Sequence, residues 1–100
     1  MIIRHAQDRD RQWLIREYLE HMSPDLEQAA RYALRCLQVD RVLLAEEERF
    51  PLGLLHWTAR WGLRHGLAEI VWLRVISSRR RQGLGRLLLE RALCDMQTCY

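Results

Sequence analysis

Lysine is missing altogether: all sixteen basic residues of this 100-residue chain are arginine, set against thirteen Asp and Glu for a formal net charge of +3. So small an excess argues only weakly for a polyanionic partner, and local clustering matters more than the sum. Cysteine is scarce as well. Cys36, Cys94 and Cys99 are odd in number and show neither a CxxC pair nor a Cys/His ligand spacing, which argues against a disulfide framework and a structural zinc site and suits a reducing compartment. Long apolar runs do not occur. The opening MIIRHAQDRD is charged at once and has no signal-peptide apolar region, and no stretch reaches the ~18 apolar residues of a membrane span. The expectation is a soluble, cytoplasmic protein with no metal, no membrane partner and no nucleic-acid partner.

What the chain does have is 49% hydrophobic residues, no internal repeat and no low-complexity linker. That is enough for a modest core, so residues 1–100 read as a single domain. Met1 to Ala6 is a short apolar start suited to an edge strand. Asp8 or Asp10 then offers an N-cap for RQWLIREYLEHM, in which Leu14, Tyr18 and Met22, with Ile15 and Leu19 beside them, repeat at helical spacing. Ser23-Pro24-Asp25 signals a second helix, with Ser as N-cap and Pro at the first helical position. Leu26, Ala30, Ala33, Leu34 and Leu37 would line its apolar face.

After Gln38-Val39-Asp40 the pattern becomes extended. Arg41 to Glu46 reads as a strand, Leu52 to Trp61 as a longer one, and Leu67 to Ile76 as the most apolar strand of the chain, with a glycine-containing turn between the last two. These three should form an antiparallel meander. Leu84, Leu87, Leu88, Ala92 and Met96 give a final helix its apolar face. The order β-α-α-β-β-β-α predicts an α+β-like mixed α/β layer.

Between the apolar strand and the last helix lies SRRRQGLGRLLLE, Ser78 to Glu90. Gly83 and Gly85 permit close backbone approach there, and the helix start offers unpaired N–H groups and a positive dipole end to a phosphate. On the glycines alone, an ordinary structural turn and a ligand cradle both stay open. Two phosphate motifs do not fit: Arg86 follows Gly85 where a P-loop needs Lys-Ser/Thr, and Leu88 occupies the third-glycine position of a dinucleotide fingerprint. Nor do Arg79, Arg80 and Arg81 read as a nucleic-acid patch, since no aromatics are interleaved with them.

What remains, Arg80-Arg81-Gln82-Gly83-Leu84-Gly85, fits R/Q-x-x-G-x-G/A and resembles the acetyl-CoA-binding motif of the GNAT superfamily of N-acetyltransferases. The preceding AEIVWLRVISS is similar to the histone acetyltransferase branch. The resemblance implies the acyl-CoA N-acyltransferase fold, acetyl-CoA as cosubstrate and an amine as acceptor. It also implies backbone contacts to the cofactor from Leu73 and Val75 on the strand and from Arg81, Gln82, Gly83, Gly85 and Arg86 in the loop, with Arg80 opening the motif. Glu69 matches the general base of the histone branch. Period-two alternation places Glu69 on one strand face with Val71, Leu73 and Val75, among apolar neighbours that disfavour its charged form. His56 is open as a base, a substrate contact or a structural residue, and Trp57, Trp61 and Trp72 as groove walls or core. Family members continue past the motif helix, so the fold is expected to be truncated at Tyr100, which lacks the context of the family's leaving-group acid. The alternative to an enzyme is a CoA-binding or interaction module, and in either case an exposed motif-strand edge would favour a homodimer.

Overall fold

The computed structural model describes residues 1–60, 67–76 and 83–99. Strand β1 (Ile2–His5) leads through a short 3₁₀ turn (Asp8–Asp10) into α1 (Arg11–His21) and α2 (Leu26–Gln38). Three strands follow, β2 (Arg41–Glu47), β3 (Phe50–Arg60) and β4 (Leu67–Val75), and then α3 (Leu84–Cys99). The sheet runs β1-β2-β3-β4, antiparallel at every step. Element order, meander and edge position of β1 are as the sequence predicts.

Helices cover both faces of the sheet, which is why β2 reads as the unbroken apolar run Val42-Leu43-Leu44-Ala45, buried throughout. On one face Leu43, Ala45, Leu55 and Trp57 pack on Leu84, Leu88 and Ala92 of α3. On the other, Val42, Leu44 and Leu54 pack on Leu14 of α1 and on Ala33 and Cys36 of α2. Each fully buried leucine contributes about 2 kcal/mol from apolar area removed from water.

The helical faces depart from expectation. In α2 the buried residues are Ala29, Ala33 and Cys36, while Leu26, Ala30 and Leu34 are exposed. Small side chains let the helix settle close to the sheet, and that rotates the larger leucines outward. Asp25, not Ser23, is the N-cap, accepting from the N–H groups of Glu27 and Gln28 at 2.9 and 3.2 Å. In α1, Met22 lies beyond the helix and is exposed, whereas Glu17 is buried. In α3, Leu87 is exposed beside the buried Leu84 and Leu88.

Asp10 stands at the N-cap position of α1 but does not cap it. Its carboxylate accepts from both terminal nitrogens of Arg4 (2.8 and 2.9 Å) and from the Gln7 N–H (2.7 Å). Arg4 also donates to Glu46 at 3.0 Å, so one guanidinium ties β1, the 3₁₀ turn and β2 together. Burial pushes the Asp10 carboxyl up, but the bonds from Arg4 and Gln7 outweigh it and hold the group below the usual carboxylate range.

Candidate functional site

Gly83 precedes α3 with φ +77°, a left-handed conformation that glycine adopts at little cost, and a Cβ built there would meet nothing within 4 Å among the described residues. The Leu87 N–H donates to the Gly83 carbonyl at 3.1 Å; the N–H groups of Leu84, Gly85 and Arg86 precede it in the first turn, where a helix's own bonding pattern leaves donors free for other partners. No acid stands in that first turn. A Cβ on Gly85 would touch Val75 Cγ2 at 3.8 Å and Leu73 Cδ2 at 4.0 Å. Leu73 and Val75 precede Gly85 by twelve and ten residues, and the fold sets the start of α3 against both of them on β4.

Backbone direction along β4 follows from one bond: the Ile76 N–H donates to the Leu52 carbonyl at 2.9 Å, toward β3. N–H groups alternate sides along a strand, so those of Leu73 and Val75 face away from β3. Their pairing partners, Leu55 and Gly53, fit this register. At Gly53 the two strands approach closely, with a built Cβ only 2.7 Å from the Arg74 carbonyl oxygen.

The predicted grouping of Glu69 with Leu73 and Val75 is overturned. His56 pairs with Trp72 and Trp57 with Ile70, which leaves Val71 as an extra residue and reverses the alternation. Leu73, paired with Leu55, and Val75 stay on the α3 face, while half-buried Glu69 pairs with Thr58 and faces α1 and α2. Single-strand periodicity cannot register an inserted residue whose partner lies on another strand. Arg86 is exposed at the start of α3, its Nε donating to Glu90 at 3.0 Å. Arg80, Arg81 and Gln82, with Arg79, Trp61 and Tyr100, lie outside the described residues.

A buried polar cluster occupies the α1/α2 face. Asp40, in the turn between α2 and β2, accepts from His56 Nε2, Thr58 Oγ1 and Arg35 Nε, each at 2.7 Å. Burial pushes its carboxyl up, but these three bonds hold it below the usual carboxylate range. Burial likewise lowers His56 and outweighs the pull of Asp40, so the ring is neutral with its proton on Nε2. Nδ1 then accepts from the Tyr32 hydroxyl at 3.2 Å, with Cys36 Sγ at 3.9 Å. Burial pushes the Cys36 thiol up to about 12, leaving it a packing residue and not a nucleophile. His56 is thus a satisfied interior residue. The sequence held a sign of this in His56-x-Thr58, two polar residues on one face of an otherwise apolar strand. Trp57 is core, and Trp72 packs edge-on to Tyr32 with ring centres 6.0 Å apart.

Among the described residues, Glu17, Glu20 and His21 bring possible ligand atoms within 4.8 Å of one another. Arg74 already occupies Glu17 Oε2 at 2.7 Å. A cavity of about 340 Å³ lined by Cys36, Asp40, Trp57 and Asp95, among others, lies by the start of β2.

Residues 4–99 match the model of the acetyltransferase (GNAT) family. The chain belongs to that family. Its fold is similar to a GNAT-family acetyltransferase from Desulfovibrio desulfuricans, with TM-score 0.78 and 20% identity over 98% of this chain and 66% of that one. It is similar also to the aminoglycoside 6'-N-acetyltransferase AAC(6')-IG of Acinetobacter haemolyticus, with TM-score 0.81 and 16% identity over 98% and 72%. A third similar structure is AAC(6')-Iy in complex with the bisubstrate analogue CoA-S-monomethyl-acetylneamine, with TM-score 0.76 and 16% identity over 97% and 71%. The chain thus spans about two-thirds of the length of the first. No curated protein matches it in sequence. Among the described residues, no helix of this GNAT chain is long and apolar enough to cross a membrane.

Proposed function

We propose that residues 1–100 form one domain of a cytoplasmic N-acetyltransferase that moves an acetyl group from acetyl-CoA to a primary amine, the amine attacking the thioester directly. The observation that carries this reading is the junction of the start of α3 with the β4 edge. There the left-handed backbone at Gly83, the Gly85 position against Leu73 and Val75, and strand N–H groups turned away from β3 come together. Acetyl-CoA, when bound, supplies the activated acyl group. The N–H groups of Gly83, Gly85 and Arg86, together with Arg80, Arg81 and Gln82 ahead of them, would hold its pyrophosphate through the helix dipole and direct hydrogen bonds. The Leu73 N–H would donate to the thioester carbonyl oxygen as negative charge develops on it, and Val75 would pair with the pantetheine arm. Glu69, on the α1/α2 side of the β4 edge, would accept the proton that the ammonium group must lose, from an amine that approaches the thioester on that side.

Titration calorimetry with acetyl-CoA and CoA tests the cofactor half of this reading; absence of saturable binding defeats it. Glu69→Gln is expected to keep cofactor affinity and lower turnover on a responsive amine by about 100-fold or more, as loss of a general base does. An unchanged rate across pH removes Glu69 from the reaction.

A second reading has its own observation. β4 is an edge of the described sheet, with Ile70, Val71 and Leu73 42%, 41% and 42% exposed. Such an edge suits a non-catalytic CoA-binding or interaction module that self-associates there. Dimeric mass in solution with cofactor binding but no acyl transfer would favour it.

A further inference from the structure

Asp40 is fully withdrawn from solvent, with 1% of its side chain exposed, yet it belongs to neither β3 nor β4. Two of its three donors, His56 and Thr58, stand on either side of Trp57 on β3. The step from His56 to Trp57 is where the β3–β4 register shifts and Val71 becomes the extra residue. The same carboxylate therefore grips β3 just before and just after the bulge, at 2.7 Å on each side. Arg35 Nε, also at 2.7 Å, fixes it from α2. On the other flank of His56, the Tyr32 and His56 rings meet edge to face at 5.2 Å between centres and Tyr32 meets Trp72 at 6.0 Å, so the β4 residue opposite His56 is held by the same cluster.

We propose that Asp40, His56 and Thr58 are positioning residues: a clamp that sets the β-bulge at Val71 and so fixes the direction of the Leu73 and Val75 backbone groups at the β4 edge beside α3. The inference rests on the reading of those groups as cofactor contacts. Its physical basis is that a bulge can migrate or flatten by one residue, and such a slip turns every following side chain and N–H of the strand to the opposite side. A buried carboxylate with charge-assisted bonds to positions i and i+2 tolerates only one pleat between them. The clamp works from the α1/α2 face, and its effect appears at the edge and on the α3 face, where Gly85 meets Leu73 and Val75.

The test uses ¹⁵N amide spectra of the whole chain, without cofactor, together with acetyl-CoA calorimetry. Thr58→Val and His56→Leu each remove one arm of the clamp. Both are expected to move the Leu73 and Val75 amide resonances and to weaken acetyl-CoA binding about tenfold, the effect of a lost hydrogen bond to a charged group. His56→Gln keeps a donor for Asp40 and is expected to restore both readouts to nearly wild-type values. Asp25→Ala, which weakens the α2 cap far from β4, serves as a stability control and should leave both unchanged in the folded protein. The clamp is overturned if the amides and the affinity of Thr58→Val and His56→Leu match wild type, or if Asp25→Ala moves them equally. Wild-type protein that binds no acetyl-CoA defeats the functional reading and with it the clamp's role at the cofactor; the amide shifts then report separately whether the clamp sets the bulge.

Discussion

At Gly53 a methyl group would lie 2.7 Å from the Arg74 carbonyl oxygen and 3.4 Å from Leu88 Cδ1, so the β3–β4 spacing requires glycine there. Gly53→Ala is expected to cost about 1–3 kcal/mol, the range for overpacking a closed site, and urea unfolding measures it. Nothing in the local string PLGLLHW marks this contact, because the clashing atom belongs to another strand. His56 carries a pH signature of its own. Burial lowers its folded-state affinity for protons below that of the unfolded chain, where the ordinary value is 6.5, so the unfolded state binds more protons once pH falls through that region. Stability is full above about pH 6.5 and declines as acid is added below it. Asp40, also depressed, extends the loss to lower pH through the carboxylate range. Thermal unfolding between pH 7.5 and 5.5, about one unit either side of the ordinary histidine value, should show Tm falling in wild type and a flatter profile in His56→Gln; parallel profiles would remove His56 from the linkage.

Among the elements, α2 owes its start to Asp25, whose carboxylate accepts two N–H groups of the first turn. Asp25→Ala should cost about 1 kcal/mol, as loss of an N-cap does, seen as a lower denaturant midpoint with an unchanged slope. The sequence signal at Ser23-Pro24-Asp25 marked this start two residues early, at Pro24 where the helix begins at Leu26, and chose the wrong capping oxygen, since Ser and Asp are equally good caps and only backbone geometry separates them. The apolar arc of α2 was legible, but its orientation was not: Leu26 and Ala29 lie on the same broad arc, and contact distance to the sheet selects alanine. In β4, strand and boundaries were plain from the apolar run. The bulge was hidden because register belongs to a pair of strands, and so the side of the sheet that Glu69 faces could not be read from β4 alone.

At the scale of the whole molecule the order of elements was readable because hydrophobic period changes sharply at Asp40 and again at Gly83, and turn residues stand at both places. The family was readable for a different reason. The motif that resembles the family is local, six adjacent residues from Arg80 to Gly85, and so it can be read from one stretch of chain. The Asp40 cluster lacks that kind of signature, since its partners come from α2, β2 and β3 and are joined only by folding. The junction of α3 with the β4 edge is the proposed acetyl-CoA site. Calorimetric titration of acetyl-CoA into wild type and Gly85→Glu tests it most directly, because a side chain at position 85 projects toward Leu73 and Val75 and adds negative charge at the helix start. Wild type should bind saturably and a folded Gly85→Glu protein not at all; equal binding by both rules the site out.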